Sequence, residues 1–356
     1  MKFLIQLTLI VLIPQMVFAQ NDIDSDGIAD ESCVCIEIDN CQGVYNPTQD
    51  DCDSDGYGNE CDLTPGCPDT DTGDLDTDTD TGIDETGIYW VPDFSDDVKA
   101  KIREIVAMPF ERTPNTVSFF GNSIMGGGGI IGYNNFMYNC NFAYGDVNDA
   151  YSFSRIKDLT PYNHLEESLD YMLTGEVDGE NFVTHDSLGA EGGRTATWAI
   201  GTGNCPALQE IDEMKAQTGV IYFGTNMYYG IDPQDDSKDL ENALDIMAVA
   251  DYLAERGVVP IVVSPAAYSE LYDRFEALNE LLEIQSQLAN YPFVSNFEAT
   301  KNLDYYGNND ATNKHPQGMS YNRMCVFSEE ALEYGSNTLI LGVLQGIHQV
   351  YEVLSE

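Results

Sequence analysis

Two sets of residues in this chain have types and spacings that could do chemistry. The first centres on Ser123. It stands two positions after Gly121, which ends the apolar run Val117-Ser118-Phe119-Phe120, and glycines fill positions 126–129 behind it. A run rich in aromatic and β-branched residues reads as a buried strand. A strand that delivers a serine onto a tight turn exposes the hydroxyl at the carboxyl edge of a sheet. There it can attack an acyl carbonyl, provided a neighbouring imidazole takes its proton. The spacing is not the G-x-S-x-G elbow, because Met125 stands two after the serine. Gly, Asn and Ser also make ordinary strand-end turns.

The second set is made of carboxylates. Asp22, Asp24 and Asp26 alternate ahead of Gly27, with Asp30 at loop position nine. Asp51, Asp53 and Asp55 alternate ahead of Gly56, with Asn59 at nine and Asp62 at twelve. Oxygen ligands at positions one, three and five with Gly at six wrap around a single Ca²⁺. The second loop carries five side-chain ligands; the first has Cys33 at twelve and needs a ligand from elsewhere. Neither loop has the long amphipathic flanks of an EF-hand. A disordered acidic tail is the plainer alternative for such a density of charge.

The chain around these residues is 356 long, with room for one large α/β domain and smaller modules. Lys2 followed by an apolar run over 3–18, with Val17 and Ala19 before Gln20, reads as a secretory signal peptide cut after Ala19. No Cys follows that cut, which argues against a lipoprotein. No later apolar run reaches the roughly 18–20 residues that span a bilayer, so the expected product is secreted and has no membrane span. Sixty-one acidic residues against 15 basic ones give a net charge of -46. Such a field repels nucleic acid, anionic lipid surfaces and polyanionic substrates. Between residues 21 and 98 there are 24 Asp and Glu and no Lys or Arg. The nine cysteines fit an oxidising compartment: Cys33, Cys35, Cys41, Cys52, Cys61 and Cys67 in front, Cys140, Cys205 and Cys325 behind. Pairing confined to modules leaves one of the last three over.

The organisation expected is a signal peptide over 1–19, a calcium module over 20–67, an acidic Asp/Thr-rich linker over 68–93 and a globular domain over 94–356. Like charges on alternate residues keep the linker extended. Ser95 ahead of Asp96 and Asp97 caps a helix running to about 106. Another helix is expected over 162–174. The run 220–223, then a helix over 239–256 turning at Gly257, then the run 258–263, make a parallel crossover. A helix over 269–288 and a strand over 293–296 repeat that rhythm. A helix over 329–354, with Gly335 and Gly342 as breaks, closes the chain, and 317–327 reads as an insertion before it.

Gly121-Asn122-Ser123 resembles the first block of the SGNH (GDSL-type) hydrolases, with Asn122 where that family usually has Asp. Gly189-Ala190-Glu191-Gly192-Gly193-Arg194-Thr195 resembles the second block, and Gly224-Thr225-Asn226 the third, with Met227 in place of its last Asp. His315-Pro316 matches the end of the fourth, Asp-x-x-His-Pro, but Thr312 stands three before the histidine and the nearest upstream carboxylate is Asp310. The resemblance covers about 110–354 and is clear over 116–125 and 219–264. It implies a three-layer α/β/α sandwich with a central parallel sheet, flavodoxin-like, and an esterase acting on lipid or sugar esters. Ser123 is then the nucleophile and His315 the base. The oxyanion donors are the N–H of Ser123, the N–H of Gly192 (Gly193 the alternate) and the amide of Asn226, each worth on the order of 10²- to 10³-fold in rate. Asp310 completes a triad if the turn bulges by two residues; otherwise a backbone carbonyl orients the ring in a Ser-His dyad. His164, His185 and His348 lack a strand-end setting and read as ordinary core or surface histidines. No cofactor is expected for catalysis.

Asp39-Asn40-Cys41, Tyr45-Asn46-Pro47 and Gln49, set between the two acidic loops, resemble thrombospondin type 3 repeats, over about 40 residues. That resemblance implies structural Ca²⁺, a disulfide between Cys41 and Cys61, and an extracellular or cell-surface partner; it leaves the other four front cysteines unassigned. Two readings follow. One is a secreted serine esterase tethered to a calcium module, acting on a small-molecule, carbohydrate or lipid ester. The other is a calcium-dependent binding or adhesion protein on a degenerate scaffold of the same fold. Residues 21–67 have almost no apolar core and many mutually repelling carboxylates, so they are expected to fold only with Ca²⁺. Calorimetric titration of that segment should show heat and a spectral change by millimolar Ca²⁺; a flat titration at that concentration defeats the expectation.

Overall fold

A computed structural model describes residues 91–126, 162–201, 205–230, 232, 236–308, 315–316 and 327–356. The signal peptide, both acidic loops with their ligands Asp22 to Asp62, Cys41 and Cys61, most of the linker, Asp310 and Thr312 lie outside these residues. All the described residues belong to the unit spanning Asp80–Glu356.

Four parallel strands form one sheet in the order β1 (Val117–Gly121), β2 (Thr218–Tyr222), β3 (Val259–Val263) and β4 (Phe293–Val294). Val117 pairs with Thr218, Thr218 with Val259, and Val262 with Phe293. β1, β2 and β3 are buried at every residue, which is why they read as mostly apolar runs rather than alternating ones. Helices cover both faces. A Cβ on Gly219 would come within 2.7 Å of Leu253, in α5 (Asp239–Ala254). A Cβ on Gly346, in α9 (Gly335–Ser355), would come within 3.3 Å of Ile261. Ile261 pairs with Val220, the residue after Gly219, so the two helices lie on opposite sides of the sheet.

The other helices are α1 (Asp96–Val106), α2 (Glu166–Leu173), α3 (Ala196–Ile200), α4 (Pro206–Met214), α6 (Tyr272–Ala289), α7 (Asn296–Thr300) and α8 (Glu329–Leu332). Ser95 caps α1 as its sequence suggests, its Oγ accepting from Val98 N–H at 3.3 Å. β4 is two residues shorter than expected. Ser295 leaves the strand to cap α7, accepting from Glu298 N–H at 3.1 Å, the S-x-x-E pattern of a helix start. Gly335 does separate two helices, but Gly342 lies inside α9 without breaking it. A mid-helix glycine costs only about 1 kcal/mol, and α9 is buried around most of its circumference.

Val91 and Pro92, at the end of the expected linker, are hydrogen-bonded to the domain. Val91 is buried and its N–H donates to Gln345 Oε1 at 3.0 Å. Gln349 holds the same segment from the next turn of α9. Its Oε1 accepts from Phe94 N–H, and its Nε2 donates to Val91 O at 3.1 Å and to Pro92 O at 2.8 Å. Replacing it by leucine strands three backbone groups at once. Gln349→Leu should cost about 2–3 kcal/mol and lower Tm by roughly 4–10 °C in a thermal melt.

Candidate active site

The carboxyl edge of the sheet collects all four sequence blocks. β1 ends at Gly121 and the chain turns at once. Asn122, almost fully buried, closes the turn: its C=O accepts from Met125 N–H at 3.1 Å and Gly126 N–H at 3.0 Å, and its Oδ1 accepts from Ile124 N–H at 3.0 Å. This lifts Ser123 to a half-buried position at the rim. There its Oγ lies 3.0 Å from His315 Nε2, across 192 residues of sequence.

His315 is held from both sides of its own turn. Asn308 and Pro316 form an antiparallel bridge, Ser336 Oγ donates to Pro316 O at 3.3 Å, and Asn308 Nδ2 donates to Ala267 O at 2.7 Å. Gly307 (φ +74°) and Gly335 pack backbone to backbone: a Cβ on Gly335 would sit 2.2 Å from Gly307 O. Gly307 and Pro316, on either side of His315 in the chain, thus both rest on the first turn of α9. Asp310 and Thr312 fall outside the described residues.

The second block lies along the edge of β1. Gly121 N–H donates to Gly189 O, and Glu191 N–H donates to Gly121 O, each at 3.1 Å, so Ala190 pairs in parallel with Gly121. Gly192 follows directly, and a Cβ added there would meet only Ser123 Cβ, at 3.6 Å. One added to Gly193 (φ +80°) would meet nothing within 4 Å. Of the two glycines, Gly192 is the one set against the serine.

The third block leaves β2 through Gly224, whose φ of +113° and approach to Pro265 and Leu278 exclude a side chain. Asn226 Nδ2 donates to Arg194 O at 3.2 Å, which ties this turn to the second block. From below, Tyr228 OH donates to Asp239 Oδ1 at 2.9 Å, and Arg274 pairs with Asp239 at 2.8 Å. Burial pushes the Tyr228 phenol upward, and Asp239 adds to that, so it stays a proton donor. This buried network was not anticipated from the sequence.

The remaining histidines are held elsewhere. His164 and His348 stack edge to face at 5.2 Å, and burial lowers both. His348 Nδ1 lies 3.0 Å from Ser168 Oγ. His185 sits between two carboxylates, with Nδ1 3.0 Å from Glu180 and Nε2 3.0 Å from Glu210. Burial alone would lower its pKa, but the hydrogen bonds and charges of Glu210 and Glu180 prevail and raise it to about 9. Asp186, beside it, is raised by burial. Among the described residues no group of His, Cys, Asp and Glu could hold a metal ion, and no helix is long and apolar enough to cross a membrane.

No family model matches the chain, and no curated protein matches it. Among solved structures it is similar to a catalytic mutant of an acetylxylan esterase from Geobacillus stearothermophilus, at 15% identity and a TM-score of 0.39, covering 66% of this chain and 95% of that one. It is similar to a lipase/acylhydrolase from Enterococcus faecalis at 15% identity and 0.35, covering 67% and 95%. It is also similar to a carbohydrate acetylesterase from Sinorhizobium meliloti at 11% identity and 0.36, covering 64% and 97%. At these TM-scores the chemistry of the site has to follow from this chain's own residues.

His185 has a folded pKa above its unfolded value of roughly 6.5, so its pairing stabilises the fold fully below that pH and is lost as pH rises through about 9. Denaturant unfolding of the wild type should therefore show stability falling from pH 6.5 to 9. His185→Gln should start lower and be flatter over the same window.

Proposed function

We propose that this chain is a secreted serine esterase that hydrolyses an acyl ester, of a carbohydrate or a lipid, and is tethered to a calcium-binding module. The observation that carries the reading is the 3.0 Å approach of Ser123 Oγ to His315 Nε2 at the carboxyl edge of a parallel sheet. His315 Nε2 accepts the hydroxyl proton as Ser123 Oγ bonds to the ester carbon. The carbonyl π electrons move onto oxygen, giving a tetrahedral oxyanion. Collapse expels the alcohol, which takes the proton from His315, and leaves an acyl-serine. Water attacks that ester with His315 again as base, releasing the carboxylic acid and restoring Ser123.

The oxyanion is held by the N–H groups of Ser123 and Gly192 and by the amide of Asn226. That role is supported by Gly192 lying against Ser123 and by Asn226 being pinned through Arg194 to the same segment. Donors fixed before the reaction stabilise charge without reorganising as it develops. Asp310 is the proposed orienter of His315, with a backbone carbonyl as its substitute in a dyad. The net charge of -46 favours neutral esters over polyanionic ones. The calcium module, with its ligands Asp22, Asp24, Asp26, Asp30, Asp51, Asp53, Asp55, Asn59 and Asp62, is proposed to hold the enzyme to an extracellular or cell-surface partner. Thr312, standing where the resemblance expects a carboxylate, favours the second reading, a binding protein on this scaffold.

Ser123→Ala should abolish fluorophosphonate labelling and turnover of a short-chain aryl ester while leaving Tm nearly unchanged. His315→Ala should do nearly the same, since the serine and its base act as a unit. Asn226→Ala should lower kcat about 10²- to 10³-fold. A large loss in Asp310→Asn assigns a triad, a small one a dyad. A well-folded wild type that takes no label and cleaves no ester leaves the binding reading standing.

A further inference from the structure

The most deeply buried carboxylate among the described residues has no part in the mechanism above. Glu210, in α4, is fully buried, and both of its hydrogen-bond contacts use the same oxygen. Oε2 accepts from Leu188 N–H at 2.8 Å and lies 3.0 Å from His185 Nε2; Oε1 has no partner among the described residues. A buried carboxylate is costly unless paired and hydrogen-bonded, and an apolar residue of similar size would fill the same space. What this charge grips is therefore informative.

Its two contacts lie at the head of one short segment that ends at Ser123. His185 is also held through Nδ1 by Glu180. Next comes Ser187, whose Oγ donates to Phe119 O in β1 and accepts from Gly189 N–H at 3.1 Å. Gly189 and Glu191 then bracket Gly121 through the two 3.1 Å backbone bonds, and Gly192 arrives against Ser123. Arg194, two residues on, offers the carbonyl that holds Asn226. Glycine at 189 is demanded by the closeness of this packing: a Cβ would lie 2.6 Å from the Phe120 ring.

We propose that Glu210 is a positioning residue for catalysis, clamping residues 185–188 from α4 so that the following strand-like segment sets the Gly192 N–H and, through Arg194, the Asn226 amide over Ser123. The proposal rests on the esterase reading and adds to it a residue that touches neither substrate nor the reacting atoms. A carboxylate on a cationic imidazole and a backbone N–H makes charge-assisted bonds, stronger than neutral ones. Such bonds suit a segment that must not drift, since a displacement of about 1 Å in a donor can cost on the order of 10²-fold in rate.

The test uses the full chain and four proteins: wild type, Glu210→Gln, Ser187→Ala and Gln349→Leu. Glu210→Gln keeps shape and an acceptor for Leu188 but removes the charge from His185. Ser187→Ala loosens the same segment by a smaller change and serves if the first variant folds poorly. Gln349→Leu destabilises the domain at the lead-in segment, away from the clamp, and controls for stability alone. With a short-chain aryl ester, Glu210→Gln should lower kcat about 10- to 100-fold with KM within about threefold. Hydrogen exchange over residues 187–194 should quicken about tenfold or more, and the acidic limb of the pH–rate profile should not move, because His315 is untouched. Ser187→Ala should lose several-fold in kcat, and Gln349→Leu should stay within about twofold of wild type. An active wild type with Glu210→Gln or Ser187→Ala at full kcat, or with a rise in KM alone, overturns the clamp while leaving the esterase standing. A folded wild type without turnover overturns the esterase reading first and the clamp with it.

Discussion

The carboxyl edge of the sheet depends on the backbone of Gly121. Its N–H and C=O face away from β2 toward the segment carrying Gly189 and Glu191, and both are hydrogen-bonded there. A parallel strand presents these groups on its free side, and burying them unpaired would cost roughly 1–3 kcal/mol each. Satisfying them fixes the register of a loop that would otherwise be free to slide. The residue must be glycine, because a Cβ would sit 2.6 Å from Tyr222 O and 2.8 Å from the Met125 side chain. One backbone unit thus ends the strand, starts the serine turn and docks the glycine loop beside it.

Charge in this chain is spent very unevenly. Acidic residues outnumber basic ones about fourfold, yet the two buried acids among the described residues each meet a specific basic partner. Asp239 meets Arg274, and Glu210 meets His185. Both pairs lie under loops of the candidate site rather than in the centre of the apolar core. Fixed polar groups under a site keep its donors oriented at the cost of desolvation, a trade that apolar packing alone does not make. The net charge, by contrast, acts on what approaches the protein and says little about how it folds.

Much of the frame was legible in the sequence, for local reasons. β1, β2 and β3 are buried on both faces, so their apolar runs stand out, and α1 and α5 announce themselves by a capping serine and by Gly257 after the helix end. α3, α4 and α7 are short and were missed. α4 did carry a signal, Pro206 at its first position with Ala207, Ile211 and Met214 at helical spacing on its buried side. Ser123 and His315 could be paired only through motif order, because nothing local links residues 192 apart. The His185–Glu210 pair had no local signal at all: a histidine and a glutamate 25 residues apart look like surface residues until the fold buries them. Val91 and Pro92 were lost to the linker because their partner, Gln349, lies more than 250 residues away.

The places where the chain departs from the block pattern divide by what the position does physically. At 122 the working group is an acceptor oxygen for Ile124 N–H together with a backbone carbonyl for Met125 and Gly126, and asparagine supplies both as well as aspartate would. It also avoids burying a charge at a site almost closed to solvent, leaving one amide nitrogen without a partner among the described residues. At 227 the methionine is nearly buried, so the position now contributes apolar packing, and the turn is held instead by Tyr228 on Asp239 and by the Gly224 carbonyl accepting from Met227 N–H at 2.9 Å. Threonine at 312 differs in kind. Stabilising an imidazolium needs a negative charge or a well-placed acceptor, and a hydroxyl gives only the weaker of these. Two of the three departures thus leave their local task intact, and the third falls at the position where the resemblance expects a carboxylate to pair with the proposed base, His315.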